Sequence, residues 1–200
     1  MIKNLNLSEG ILDEYGSRTR TFEKDEYLAR TGSAPKSLLY ITSGVAKIVT
    51  INEEGVEYLH GFSDEGEMVG LGSYLCNYKF YNDFIVEEDI VAVEFSFDQF
   101  EKMIAENAEI ARNIMQYLAE IIEIKTINLS TIMGKNPRDM VLTTLNRIKE
   151  RSMLAEDSLV PFTRQEMANY LGLRVETVIR TVKELEDEGL LKIKKGKIYY

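Results

Sequence analysis

Glu176 and Arg180 stand four residues apart in the segment Val175-Glu-Thr-Val-Ile-Arg-Thr-Val-Lys-Glu-Leu-Glu-Asp187. That spacing puts both on one face of a helix. A guanidinium can donate two hydrogen bonds to guanine O6 and N7, and a carboxylate can accept from cytosine N4. Val175 and Thr177 can meet a thymine methyl or a phosphate. Around this group in sequence lie Thr163, Arg164, Gln165, Arg174, Lys183, Lys194 and Lys195, with further lysines at 192 and 197. These are the donors and cations that hold a nucleic-acid backbone. The same Glu and Arg could equally be an ion pair on a solvated helix, so the setting has to decide.

The setting is a short-helix pair. Thr163-Arg-Gln-Glu166 has the form of a capping box, Thr at the N-cap and Glu three residues on. It opens a helix with Met167, Ala168, Tyr170 and Leu171 in apolar register. Gly172-Leu173 makes a turn, and a second helix over about 175–187 turns Val178, Val182 and Leu185 inward. Small Ala168 suits the crossing point. Two helices joined this way form a helix-turn-helix. Leu190 to Tyr200 then reads as strand, basic turn at Gly196, strand, which is a wing.

Upstream, no Pro or Gly occurs from Phe97 to Met133. Ile110, Ile114, Tyr117, Ile121, Ile124, Asn128 and Ile132 recur at spacings of three and four, with Leu118, Ile122, Lys125 and Leu129 as a neighbouring row. This predicts an amphipathic helix of about 25 residues, roughly 37 Å long. The stripe is wide enough to face both a core and a second helix. A seam between two copies of the chain is the economical use of that width. Gly134 suits a C′ position, Asn136 an N-cap and Pro137 the first turn of a further helix to about Arg151, with Met140, Val141, Leu145 and Ile148 on one face.

Residues 20–97 read as short strands: 37–42, 45–51, 57–62, 83–86 and 90–95, separated by turns at Ser43-Gly44, 52–55, 64–66 and 87–89. Many close-spaced strands suggest a sandwich or barrel. The chain thus reads as α+β: a jelly-roll β-barrel over 1–106, a long dimerisation helix over 107–134, and a winged helix-turn-helix over 135–200, with the two helices in 163–187 and the wing in 190–200.

Charge follows the same division. The 200 residues carry a net −9. Residues 1–134 hold 11 Lys and Arg against 23 Asp and Glu, whereas 135–200 hold 13 against 10. A basic end on an acidic body is a footprint of nucleic-acid binding. The single Cys76 leaves this chain without the thiolates for a disulfide, a zinc ribbon or an iron–sulfur cluster. The single His60 removes two-histidine metal motifs and the His-rich cupin site, which counts against an enzyme on a cupin-like barrel. No catalytic or metal-ligating set is expected. The start MIKNLNLSEG lacks a signal pattern and no apolar stretch spans a bilayer, so a cytoplasmic protein without membrane contact is expected.

The run Thr163 to Gly189 resembles the helix-turn-helix of the Crp/Fnr family of bacterial transcription regulators, with T-R-Q-E-x-A, L-G, E-T-V-x-R and L-x-x-x-G in order. Leu38 to Val49 and Asp64 to Gly70 resemble that family's effector-binding β-roll. The resemblance implies a homodimer on a palindromic operator, with recognition helices about 34–36 Å apart, and RNA polymerase as a protein partner. It places Glu176 and Arg180 at the base-reading positions.

The departures concern the effector. Cyclic-AMP-binding members carry a Glu where this chain has Leu71, and an Arg-Ser pair where it has Tyr81 and Asn82. Leucine cannot accept from a ribose and tyrosine cannot balance a phosphate, although Lys79 lies nearby. Tyr74 to Asn82 holds four aromatics, which suits an apolar effector or simply fills the cavity. Glu67, Leu71, Tyr74, Lys79, Tyr81 and Asn82 are the candidate pocket residues for an effector other than cyclic AMP. A redox response through Cys76 and ligand-independent action are the alternatives. Arg174 stands where members have a capping Ser or Thr, so the recognition helix is expected to start without a side-chain cap.

Overall fold

The computed structural model describes residues 5–134, 136–151 and 158–200. Residues 1–4 of the expected N-terminal domain and Lys135 at an expected domain border lie outside the described residues. The chain forms two compact units, one running to Glu120 and the other from Ile121 to Tyr200.

The first unit is a β-roll. A short helix α1 (Glu9–Tyr15) leads into β1 (Arg18–Phe22), β2 (Tyr27–Ala29), β3 (Leu38–Ile51), β4 (Glu57–Ser63), β5 (Met68–Val69), helix α2 (Leu71–Leu75), β6 (Asp83–Phe95) and helix α3 (Phe97–Glu106). The central strands β3 and β6 pair along most of their length. Each serves two neighbours: β6 takes β1 and β2, and β3 takes β5 and β4. Leu39, Ile41, Ala46, Val86, Ile90 and Ala92 fill the core between them.

The expected turns at Ser43-Gly44 and 87–89 are corrected here. Both segments stay within single strands, and the register shifts between Ile41 and Ala46 instead. A bulge and a turn ask for the same residue chemistry, so sequence does not separate them. Gly44 has φ +90°, and a Cβ on it would lie 2.2 Å from the Asp89 carbonyl oxygen. The bulge therefore requires glycine on two counts.

The run from Phe97 to Met133 is two helices. Ser96 opens α3 with a full capping box to Gln99. Asn107, at φ −127° and ψ 86°, leaves helical geometry and ends it. The long helix α4 (Ala108–Ile132) follows, with the 25 residues its periodicity predicts. Ile114, Tyr117 and Asn128 of the first apolar row are buried, while Met115, Ile122 and Leu129 are 63%, 67% and 59% exposed. Gly134 does not adopt the left-handed C′ conformation expected of it. Its role is spatial, since an added Cβ would lie 2.8 Å from the Thr131 carbonyl oxygen.

The second unit holds the C-terminal part of α4, then α5 (Pro137–Arg151), α6 (Arg164–Leu171), α7 (Val175–Asp187), β7 (Lys192–Lys194) and β8 (Lys197–Tyr199). Asn136 caps α5 as expected, its Oδ1 accepting from Arg138 N–H at 3.0 Å. One core joins Met140, Val141 and Leu145 of α5 to Met167, Ala168 and Leu171 of α6, and to Val178, Val182 and Leu185 of α7. Residues 158–160 add a third strand-like segment on the far side of β8, through Val160 N–H to the Ile198 carbonyl at 2.9 Å. The sequence reading has no such segment.

Candidate nucleic-acid interface and effector region

Helix α6 begins where its chemistry requires. Thr163 Oγ1 accepts from Glu166 N–H at 3.1 Å, and Glu166 Oε2 accepts from Thr163 N–H at 2.6 Å. The helix ends at Gly172 in the left-handed conformation, φ 65°, where Leu173 N–H reaches back to the Ala168 carbonyl. Helix α7 then starts at Arg174, which has extended backbone and no side-chain cap. Its arginine side chain is left exposed at the helix N-terminus.

Helix α7 is sharply two-faced. Val178, Thr181, Val182 and Leu185 are buried. Glu176 and Arg180 are exposed on the opposite side, and Thr177 is half-buried. Arg180 makes only a loose contact with Glu184, 3.8 Å away, with its side chain 73% exposed. An exposed ion pair of that length contributes little, so the guanidinium is available for a base edge. Glu176 and Arg180 do not pair with each other in any ion pair among the described residues. Val175 is half-buried against the unit's core, which limits it to a partial contact.

The cations around this face differ in their commitments. Arg164 is half-buried, and its Nη1 donates to the Gly196 carbonyl at 2.6 Å. Lys183 bonds to Glu186 at 2.8 Å and contacts Asp187 at 3.2 Å. Those bonds to Glu186 and Asp187 hold its ammonium above the usual lysine value. Lys194 and Lys195 are exposed in the wing, as are Thr163 and Gln165 at the start of α6. Lys194 also lies over the Tyr199 ring at 4.9 Å. Lys195 and Gly196 have φ of 50° and 76°, the pair of positive values a two-residue hairpin turn needs.

The candidate effector residues do not form one cluster. Glu67 and Leu71 are buried at the β5–α2 corner. Tyr74 stacks on Phe97 at 4.2 Å and donates its hydroxyl to Glu101 at 2.7 Å. That bond pushes the Tyr74 hydroxyl up to about 12. Lys79 is exposed and Tyr81 is 77% exposed, so neither lines an interior. Phe80 is buried against Phe84, and Tyr78 lies on the surface. Asn82 is half-buried, and its Oδ1 accepts from Thr50 Oγ1 at 2.9 Å. Thr50 Oγ1 also lies 2.8 Å from His60 Nε2. A threonine hydroxyl has one proton. With it given to Asn82, His60 must be the donor to Thr50. No sequence spacing marks this Thr50–His60–Asn82 chain, because its members come from β3, β4 and the bend that leads into β6.

Tyr117 of α4 is buried on the same corner. Its hydroxyl accepts from Met68 N–H, and burial pushes its ionisation well above the usual tyrosine value. A surface cleft of about 500 Å³ lies elsewhere, lined by Arg20, Phe22, Glu26, Tyr27 and Arg30 among others, and includes none of the candidate effector residues. Cys76 is exposed at the end of α2. No cluster of three or more metal-ligating side chains occurs among the described residues. None of the described helices is long and apolar enough to cross a membrane.

Two family models match the chain: a cyclic nucleotide-binding domain over residues 19–107 and a Crp-like helix-turn-helix domain over residues 140–199. Electron transport regulator A of Shewanella oneidensis is 26% identical over 188 residues, covering 92% of this chain and 74% of the relative. The transcriptional activator protein Anr of Pseudomonas aeruginosa is 27% identical over 184 residues, covering 90% and 75%. Among solved structures, the c-di-GMP-responsive global regulator CLP of Xanthomonas campestris superposes with a TM-score of 0.82 at 19% identity, covering 96% of this chain and 98% of that one. CooA of Carboxydothermus hydrogenoformans does so at 0.79 and 16%, covering 98% and 88%. These last two show the fold alone. The two family models lie in this order over most of the chain, and relatives named as regulators align with about nine-tenths of it, so the chain belongs to the Crp/Fnr family of DNA-binding transcription regulators and not to a family of enzymes.

Proposed function

We propose that the chain acts as a homodimer that reads a palindromic operator through α7, under control of a small molecule other than cyclic AMP. In this reading residues 1–106 sense, 107–134 pair the two copies and 135–200 bind DNA. The observation that carries it is the two-faced α7, with Glu176 and Arg180 exposed and uncommitted to each other opposite the buried face of Val178, Thr181, Val182 and Leu185. Arg174, Lys194 and Lys195 supply phosphate contacts on either side.

The dimer reading rests on Met115, Ile122 and Leu129, exposed at heptad spacing on α4, with Leu118, Lys125 and Ile132 at the intervening positions. That is the a/d pattern of a two-helix seam. Leu71, buried where nucleotide-binding members carry a carboxylate, speaks against a ribose contact. The half-buried Thr50, His60 and Asn82, already bonded to one another, are the polar groups assigned to the effector side of the roll in this reading. RNA polymerase is the proposed protein partner, and the cytoplasm the proposed site of action.

Selection of bound duplexes from a randomised pool tests the reading. A consensus with two-fold symmetry is expected, and its affinity should not change on adding cyclic AMP. Recovery of an unsymmetrical consensus, or of none, would contradict it.

A further inference from the structure

Three elements of the C-terminal unit meet at Glu186. Its Oε2 accepts from Lys183 Nζ at 2.8 Å, within α7. Its Oε1 accepts from Ile193 N–H at 2.9 Å, in the middle of β7. The Lys183 bond first, then the Ile193 bond, hold the carboxyl below the usual carboxylate range, and the Arg164 guanidinium adds to this. At the other end of the hairpin, Arg164 Nη1 donates to the Gly196 carbonyl at the turn. Strand β8 is held on its far side by 158–160 and by buried Ile198. Strand β7 is the outer strand, and two-stranded hairpins are marginal by themselves in water.

We propose that Glu186 and Arg164 are the positioning residues of the wing. Glu186 clamps the middle of its outer strand and Arg164 clamps its turn, so that Lys194, Lys195 and Lys197 reach the phosphates as a fixed row. The proposal rests on the reading of this unit as DNA-binding. Plain electrostatics assigns Glu186 the opposite effect. A carboxylate beside phosphate-facing lysines repels DNA, so its removal by any substitution should tighten binding. The clamp separates two neutral variants. Glu186→Gln loses the charge but keeps an oxygen that accepts from Ile193 N–H, whereas Glu186→Ala loses both.

The test uses the full chain and a mixed-sequence duplex at fixed salt. Glu186→Ala is expected to bind roughly five- to tenfold more weakly than Glu186→Gln, the size of one hydrogen bond between neutral groups. That difference should vanish when Lys194→Ala and Lys195→Ala are also present. Amide exchange at Ile193 in the free protein should accelerate in Glu186→Ala and stay slow in Glu186→Gln. Equal tightening by both variants would overturn the clamp, as would a loss that persists undiminished without the wing lysines. Failure of the unaltered chain to bind any duplex would instead sink the DNA reading itself, and the clamp with it.

Discussion

Arg147 Nη1 donates to Asn128 Oδ1 across 2.6 Å, tying α5 to a buried amide on the long helix. Asn128 falls in the apolar row of α4, where a polar group needs a partner to avoid a desolvation cost. The bond spans the segment around Gly134 and Pro137 where one helix ends and the next begins. Asn128→Ala should therefore destabilise the C-terminal unit by about 1 kcal/mol, whereas Asn128→Asp, which keeps the acceptor, should not. Urea unfolding of the full chain measures both.

Gly44 carries a sharper cost. Gly44→Ala combines a positive φ with a Cβ 2.2 Å from a backbone oxygen of β6, and no rotamer relieves a clash with backbone. A loss of roughly 3 kcal/mol or more is expected, read as a fall in thermal midpoint. A stable Gly44→Ala would mean that the bulge is misplaced.

What the sequence conveyed and what it withheld follow from the range of the physics. The capping box at Thr163 and Glu166, the turn at Gly172 and the uncapped start at Arg174 are local, and they stand where residue chemistry put them. The apolar rows of α4 are periodic, and Ile114, Tyr117 and Asn128 of the first are buried while Ile122 and Leu129 of the second are exposed. The bulge at Gly44 carries the residues of a turn because both use a glycine at positive φ. The break at Asn107 carries neither Pro nor Gly to mark it. Tyr78 and Tyr81 looked like pocket linings by type, but burial depends on which way a loop folds. The bonds of Arg164 to Gly196 and of Ile193 N–H to Glu186 join separate elements of the unit, which charge counting does not see. The Thr50–His60–Asn82 chain depends on a strand pairing that no spacing encodes.

The exposed row on α4 makes the dimer testable. Ile122→Glu places a charge in the seam, and the two copies would set like charges against each other. Analytical ultracentrifugation should show a shift from dimer to monomer. The monomer's own stability should change by no more than about 0.5 kcal/mol, because the side chain is 67% exposed. A variant that remains dimeric would place the seam elsewhere.

Acid sensitivity should centre on Glu94. Burial alone would raise its pKa, but the Ser37 hydroxyl at 2.6 Å and the Arg18 guanidinium at 2.6 Å outweigh burial and lower it. A lowered folded value means that its contribution is complete above the unfolded value of about 4.3. It is then lost as pH falls through the lower folded value. Glu94→Gln should therefore be less stable than the unaltered chain near neutrality. The difference should close on acidification below about pH 4. Stability measured by denaturant as a function of pH checks this, and a constant difference down to the lowest pH would contradict it.

In the proposed function α7 reads bases and the wing holds phosphates. The most direct measurement is the affinity of Arg180→Ala for a selected operator and for a scrambled duplex, across a range of salt. Arg180→Ala should lose about 1–3 kcal/mol on the operator. It should lose little on the scrambled duplex, so that the two affinities converge. The Lys194→Ala, Lys195→Ala pair should weaken both duplexes alike and flatten the salt slope. If Arg180→Ala keeps the full preference for the operator, α7 is not the reading element.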